Sequence, residues 1–272
     1  MLTRNSLADV DGMAVMDVRC RSARGPWSDP ETGTGHGIVF VRRGTFRRRV
    51  NGVDELVDPT TAYFERPHDE QQIAHPLDGG DACTAIVLRP EVVAAMWGGQ
   101  PELPTAPVPV DPSLDLQHRL LVGACRRSET ERFEVAERVF LLAAAALGAA
   151  GPSRLASGRP STVAARQRVV DGAREALVAD PTMGLAQLAG ALNVSPHHLS
   201  RIFRAATGHS IARHRMRLRA RTALERLAGG DRDLARLAAD LGFADQSHLC
   251  RVIRAETGRT PSALRHALAQ GV

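Results

Sequence analysis

The chain has 272 residues and a mass of 29.2 kDa, room for two domains of ordinary size. Its 43% hydrophobic and 24% charged residues suffice to bury real cores, which excludes a disordered chain and a disulfide-stapled miniature. Residues 140–150, the nearest candidate for a membrane span, fall short of the ~18 residues one needs. Asp9, Asp11 and Asp17 interrupt the stretch where a secretory signal would stand, so a cytoplasmic protein with no membrane contact is expected.

Cys20, Cys83, Cys125 and Cys250 lie far apart with no CxxC pair, which argues against a zinc ribbon or a disulfide framework. The net charge of +5 is unevenly spread. Residues 1–162 hold 18 Arg against 21 acidic residues, net −3, and residues 163–272 hold 17 against 9, net +8; none of the basic residues is Lys. A basic final third behind a mildly acidic remainder suggests a polyanion-binding module attached to something else.

In chain order, residues 1–100 show short apolar runs between turn residues. Ala14, Met16, Val18 and Cys20 alternate, Ile38 to Val41 is continuous, and Phe46, Arg48 and Val50 alternate. Tyr63 and Phe64 follow a turn at Pro59, and Cys83 to Leu88 follows Asp78-Gly79-Gly80-Asp81. That rhythm predicts a small β-sandwich or barrel. Residues 101–112 carry five prolines and read as an extended connector, set at 101–113. Leu116, Leu120, Leu121, Ala124, Phe133, Val135, Val139, Leu142 and Ala146 stand at helical spacings. They predict a helical pair over 114–150 that either covers the sheet or pairs subunits. A looser Gly, Ser and Pro linker covers 151–162.

Residues 163–272 read as helix throughout and contain an internal repeat. The run from Leu185 to Leu192 matches that from Leu234 to Leu241 at an offset of 49. At an offset of 50, His198, Leu199, Arg201, Arg204, Ala205, Thr207 and Gly208 fall on His248, Leu249, Arg251, Arg254, Ala255, Thr257 and Gly258. Each copy has the form of a short helix, a tight turn and a second helix. Ser195 followed by Pro196 starts the second helix of the first copy, Asp245 is the N-cap of the other, and Gly208 and Gly258 stop them. Leu199, Ile202 and Phe203, or Leu249, Val252 and Ile253, face inward. His197, Ser200, Arg201 and Arg204 in one copy, and Gln246, Ser247, Cys250, Arg251 and Arg254 in the other, are left outward. Arg pairs with guanine and Gln with adenine, so these are residue types that read base edges in a major groove. Residues 211–227 between the copies predict a helix with Leu218, Ala223, Leu224 and Leu227 to pack. Its Arg side chains at 213, 215, 217, 219 and 221 spread around the helix, so that about two could reach phosphate.

The motifs LAQLAGALNVSPHHLSRIFRAATGHS and LARLAADLGFADQSHLCRVIRAETGRTPSALR resemble the double helix-turn-helix DNA-binding domain of AraC/XylS-type transcription regulators. The segments TGHGIVFVRRGTFRRRVNG and YFERPHDEQQIAHP are similar to the cupin-like sensor domain of the same family. The resemblance implies an α+β protein: a cupin-like β-barrel with a helical pair, then an all-α domain of two helix-turn-helix units joined by a long helix. It further implies double-stranded DNA and RNA polymerase as partners, a small-molecule effector in the N-terminal barrel, a homodimer, and activation as the more common output.

Two function classes compete with an effector-controlled regulator. In one, the N-terminal half only dimerises or binds a protein partner, or the protein represses. In the other, a cupin-type enzyme is fused to a DNA-binding module, which the missing His-x-His pair disfavours, since the sequence reads His36-Gly37-Ile38. His36, His68, His75, Cys20 and Cys83 have no metal-ligand spacing, so no metal, cofactor or catalytic residue is assigned. Arg47-Arg48-Arg49 reads as a solvated strand edge or as a site for an acidic effector, and Cys250 as a thiol whose oxidation would disturb DNA contact.

Overall fold

The computed structural model describes residues 1–97, 103–127, 129–151 and 160–268. Ten strands come first: β1 (Leu2–Val10), β2 (Met13–Cys20), β3 (Glu31–Thr32), β4 (His36–Arg43), β5 (Phe46–Val50), β6 (Val53–Val57), β7 (Thr61–Glu65), β8 (Glu70–Ala74), β9 (Asp81–Leu88) and β10 (Val108–Pro109). They form two antiparallel sheets, of order β1-β2-β9-β4-β7-β10 and β3-β8-β5-β6. The helices are α1 (Pro90–Trp97), α2 (Pro112–Arg126), α3 (Arg132–Ala149), α4 (Pro160–Ala179), α5 (Leu185–Ala191), α6 (Pro196–Thr207), α7 (Ile211–Ala228), α8 (Leu234–Asp240), α9 (Gln246–Thr257) and α10 (Pro261–Leu268). The expected α+β class is therefore the observed one, with the β part first.

β4 is buried from His36 to Arg42 because both of its faces are covered. Val39, Val41, Phe46, Val57, Tyr63 and Cys83 occupy the layer between the two sheets, the arrangement expected of a cupin-like barrel. Ile38, Phe40, Phe64, Ile86 and Leu88 point the other way, into a second core shared with Leu121, Val139 and Leu142 of α2 and α3. The alternation in β2 holds, but the more deeply buried set is Met13, Val15 and Asp17 rather than Met16, Val18 and Cys20. The reason is that the helices cover the Met13 face, and a helical layer excludes more water than the mouth of a small barrel. Within the proline-rich segment, Val108 and Pro109 add a short edge strand to β7, the place in a sheet where a proline removes no ladder bond. Residues 98–102 and 152–159, which include most of the expected 151–162 linker, lie outside the described residues. α4 begins at Pro160, inside that linker.

The helical pair forms where its spacing predicts, and α2 has two apolar faces rather than one. Leu114 and Leu121 enter the core under the first sheet, while Leu116 and Leu120 pack against the core of α7 to α10. Gly123 lets α2 come close to α10, since a Cβ there would stand 2.6 Å from the Ala267 carbonyl. Arg127 donates to that same carbonyl at 2.9 Å. α2 thus belongs to both halves of the molecule.

The two halves also meet through buried charge. Arg42 of β4 pairs with Asp17 and reaches Glu225 of α7 at 3.4 Å. Arg119 of α2 joins Asp115 at 2.9 Å and Glu225 at 3.0 Å. Arg221 of α7 donates to the carbonyls of Pro59 and Val110. Arg174 of α4 donates to Asp58 at 2.8 Å, and Asp58 is fully buried. Burial pushes the Asp58 carboxyl up, but the Arg174 guanidinium and the hydrogen bonds from Arg174 and Thr60 hold it well below the ordinary carboxylate range.

Two histidines sit in the same dry region. His118 stacks on Phe40 with ring centroids 4.7 Å apart, and His214 meets Phe203 edge to face at 5.2 Å. Burial lowers the pKa of each to about 3, against the opposing pull of Asp115 on His118 and of Asp58 on His214. Folded, each binds fewer protons than it does unfolded between pH 6.5 and about 3, so the stability present above pH 6.5 is lost as pH falls through that window. Lowering the pH from 7 to 5 should cost about 2 kcal/mol per histidine. Denaturant unfolding followed by circular dichroism at pH 7, 6 and 5 measures the loss. His118→Phe, which keeps the stack on Phe40, should remove the ~2 kcal/mol that His118 contributes and leave the share of His214 and of its neighbour His209, whose pKa burial lowers to about 4; an unchanged pH dependence in that variant would assign the loss to other groups.

Candidate nucleic-acid interface

The sequence repeat is a structural repeat. α5 and α8 stand 49 residues apart and α6 and α9 stand 50 apart, so the second unit carries one more residue in its turn. Both turns close in the same way. Val194 N–H donates to the Ala189 carbonyl at 3.0 Å and Phe243 N–H to the Ala238 carbonyl at 2.9 Å, with Asn193 and Gly242 at positive φ of 52° and 70°. Those are the bonds of a helix that stops on a left-handed residue. Ser195 accepts from His198 N–H at 3.2 Å and Asp245 from His248 N–H at 2.6 Å, so each second helix starts on a side-chain cap. Gly208 and Gly258, at φ of 78° and 70°, end them.

The inward faces are those expected. Leu199, Ile202 and Phe203 bury beside Leu188 and Ala189, and Leu249 and Ile253 beside Leu237 and Ala238, while Val252 is half-buried. On the outward faces His197, Ser200, Arg201 and Arg204 are exposed, as are Gln246, Ser247, Arg251 and Arg254; Cys250 is half-buried beside them. Arg201 donates toward His198 Nδ1 at 3.2 Å, a contact within its own helix that leaves its other donors free. α2 packs against α9 and α10 from behind, so the docked N-terminal half leaves the outward faces of both second helices uncovered.

The arginines of α7 depart from expectation. Only Arg213 of the five is exposed. Arg215 donates to the carbonyls of Pro181 and Thr182 at 3.2 and 2.7 Å, and Arg217 lies 3.6 Å from Glu256. Arg219 donates to the Pro181 carbonyl ahead of the first unit and to the Gly242 carbonyl in the turn of the second, each at 3.0 Å. Arg221 is buried against the β part. Arg215, Arg219 and Arg221 donate to carbonyls and Arg217 faces the Glu256 carboxylate, so these four side chains fix α7 to its neighbours and Arg213 is the exposed one of the five. What sequence reasoning missed is Arg219 as the tie between the two units, and no spacing in the sequence announces it.

Among the other candidates, Arg47, Arg48 and Arg49 are each paired, with Glu175 at 2.7 Å, Glu55 at 2.8 Å and Asp54 at 2.5 Å, and Arg48 lies 4.1 Å over the Tyr63 ring. The run is not a sheet edge, because β5 lies between β8 and β6, and it is not a vacant anion site, because β6 and α4 supply a carboxylate for every guanidinium; Arg47 and Arg49 remain partly in water while Arg48 is buried. His36 stands opposite Leu88 at the far end of β9, and His68 is exposed in the turn after β7. Cys20, Cys83 and His75 do come together, around Asp81, which the sequence reading passed over. His75 Nε2 and Asp81 Oδ2 are 2.7 Å apart and the Cys83 thiol donates to Asp81 Oδ1 at 3.1 Å.

The sequence matches the helix-turn-helix domain family over residues 188–267. No curated protein matches the chain. Among solved structures it is similar to ToxT from Vibrio cholerae, at 10% identity over 94% of this chain and 98% of that one, with a TM-score of 0.38. It is also similar to an AraC-type DNA-binding domain from Chromobacterium violaceum, at 22% identity over 39% of this chain and 97% of the other, with a TM-score of 0.37. A cupin superfamily protein from Desulfitobacterium hafniense shares 17% identity over 33% of this chain and 78% of its own, with a TM-score of 0.28. Among the described residues no helix is long and apolar enough to cross a membrane. Residues 188–267, which hold both helix-turn-helix units described above, are therefore a helix-turn-helix domain.

Proposed function

We propose that the protein is a sequence-specific regulator that reads two successive major-groove segments of double-stranded DNA, one with α6 and one with α9. The carrying observation is that Arg201 and Arg251 occupy equivalent exposed positions after equivalent caps and turns. One solvated arginine is an ordinary surface residue; two at matched positions on helices fixed by a shared α7 are a reading device. Residues 163–272 form the DNA-binding part in this reading. Residues 1–100 form the sensor, 101–113 a connector, 114–150 the pairing helices and 151–162 a linker.

The experiment is genome-wide sequencing of DNA fragments retained by the purified protein at fixed salt. A paired site whose contacts fall about one helical turn apart supports the reading. Salt-sensitive retention with no enriched sequence overturns it and leaves a general polyanion surface.

The N-terminal half pairs two subunits in this reading. Phe133, Phe140 and Leu141 of α3 are 76%, 40% and 60% exposed and share one side of the helix with Ala144 and the exposed Glu137. Three large apolar side chains left in water on a helix whose opposite side is fully used are best covered by a second copy. Leu141→Glu should convert a dimer into a monomer in light scattering with no change in circular dichroism; a wild-type chain that is monomeric at micromolar concentration removes the pairing role.

In this reading a small-molecule effector acts at an open groove of about 180 Å³ between β1, α2 and α3, lined by Leu7, Val10, Ala124, Arg127, Arg132 and Val135, rather than in the barrel interior, where apolar side chains fill the layer between the sheets; α2, which also packs on the second unit, carries the effect there. Contact with RNA polymerase, and with it activation rather than repression, is assayed by transcription from the enriched sites.

A further inference from the structure

Cys20, His75 and Asp81 place one ligand atom each within 4.8 Å of one another, and Cys83 shares Asp81 with His75. We infer that these four side chains form a metal site for a borderline-soft divalent cation of the zinc class, bound by two thiolates, one imidazole and one carboxylate.

The backbone brings them together from both sheets. Cys20 ends β2 directly opposite Asp81 at the start of β9, and Cys83 lies two residues on, on the same side of that strand. His75 comes from the other sheet, immediately after β8. The turn between them depends on Gly80, at φ 67°, where a Cβ would stand 1.9 Å from the Cys20 carbonyl. No residue with a side chain fits there, so the close approach that sets Asp81 beside Cys20 is built into the chain. Phe46 closes the inner side of the site, its ring 6.2 Å from that of His75.

The donor set matches the ion. His75, Asp81 and Cys83 are 8%, 5% and 3% exposed, and the half-buried Cys20 leaves a way in. All four cysteines are free. Tetrahedral zinc with bonds of about 2.0–2.3 Å holds its donors roughly 3.3–3.8 Å apart, so Cys20, His75 and Asp81, already within 4.8 Å, need to close by about 1 Å, and the Cys83 thiol, 3.1 Å from Asp81 Oδ1, has to turn from that carboxylate onto the ion. Mixed thiolate, imidazole and carboxylate donors favour zinc over magnesium or calcium, which take oxygen alone. A bound ion would join the first sheet to the second at the mouth of the barrel, and this inference stands apart from the DNA-binding reading.

The test is titration of the metal-free full chain with Co²⁺, which reports thiolate ligation by an intense near-ultraviolet charge-transfer band and tetrahedral geometry by its visible bands. The expected result is saturation at one equivalent, displacement by Zn²⁺, and a rise in Tm with added Zn²⁺. Cys20→Ser should weaken the band and lower affinity by more than the ~10–100-fold that loss of an outer-shell partner costs, while Cys250→Ser leaves both unchanged. His75→Gln provides a second variant, and circular dichroism establishes that each is folded. Absence of the charge-transfer band, a band and affinity left unchanged by both Cys20→Ser and His75→Gln, or a band that disappears in Cys250→Ser, overturns the inference and leaves a hydrogen-bonded polar bridge between the sheets.

Discussion

Asp58→Ala is expected to destabilise the protein by about 3–5 kcal/mol, the cost of leaving one charge of a buried pair without its partner. Asp58 is fully buried at the turn between β6 and β7. It accepts from Arg174 Nε at 2.8 Å and from the backbone and hydroxyl of Thr60 at 2.7 and 2.6 Å. Without it the Arg174 guanidinium keeps only Thr61 Oγ1 at 3.2 Å and the more distant Asp171 at 3.7 Å. Because Arg174 belongs to α4 and Asp58 to the β part, the loss falls on the junction of the two halves. Denaturant unfolding measures it, and the double variant Asp58→Ala with Arg174→Met should recover much of the stability, since an apolar pair of similar volume carries no stranded charge. A single-variant loss below about 1 kcal/mol would mean that water enters the junction and solvates the arginine.

The second large effect is on DNA. Arg201→Ala and Arg251→Ala should each cost about 1–3 kcal/mol of specific binding, roughly 5- to 150-fold in Kd, with little change in non-specific affinity. The two sites belong to separate units with separate cores, so the double variant should lose the sum of the two. Each substitution should also relax the preference for a different base pair, since in the proposed reading each helix enters its own groove segment. Fluorescence anisotropy against the enriched site and a scrambled duplex at the same salt separates these effects. If both variants retain affinity and base preference, α6 and α9 do not read sequence through these arginines.

The C-terminal part was legible in the sequence because its determinants are local. Ser195-Pro196 and Asp245 are caps that act within three residues, Gly208 and Gly258 take a left-handed conformation that few residues adopt, and the leucine spacing repeats within one helix. Repetition then separated Arg201 and Arg251 from an ordinary solvated helix face. The β part was legible as strands, but not as faces: Met13, Val15 and Asp17 lie under the helices because α2 and α3 fold back over the sheet from a hundred residues away.

Local propensity and periodicity thus determined, from the sequence alone, the α+β order, the paired helix-turn-helix units and the outward side chains on α6 and α9. Tertiary structure alone decided which arginines remain available. Arg201, Arg213 and Arg251 are exposed, whereas Arg215, Arg219 and Arg221 are held by carbonyls distant in sequence, and no periodicity distinguishes the two groups. It also decided that α2 serves two cores at once and that Cys20 meets Asp81 across a strand pair. Such contacts depend on the register and docking of elements tens of residues apart, where the free energy of a burial or an ion pair exists only after the chain has closed the loop between them.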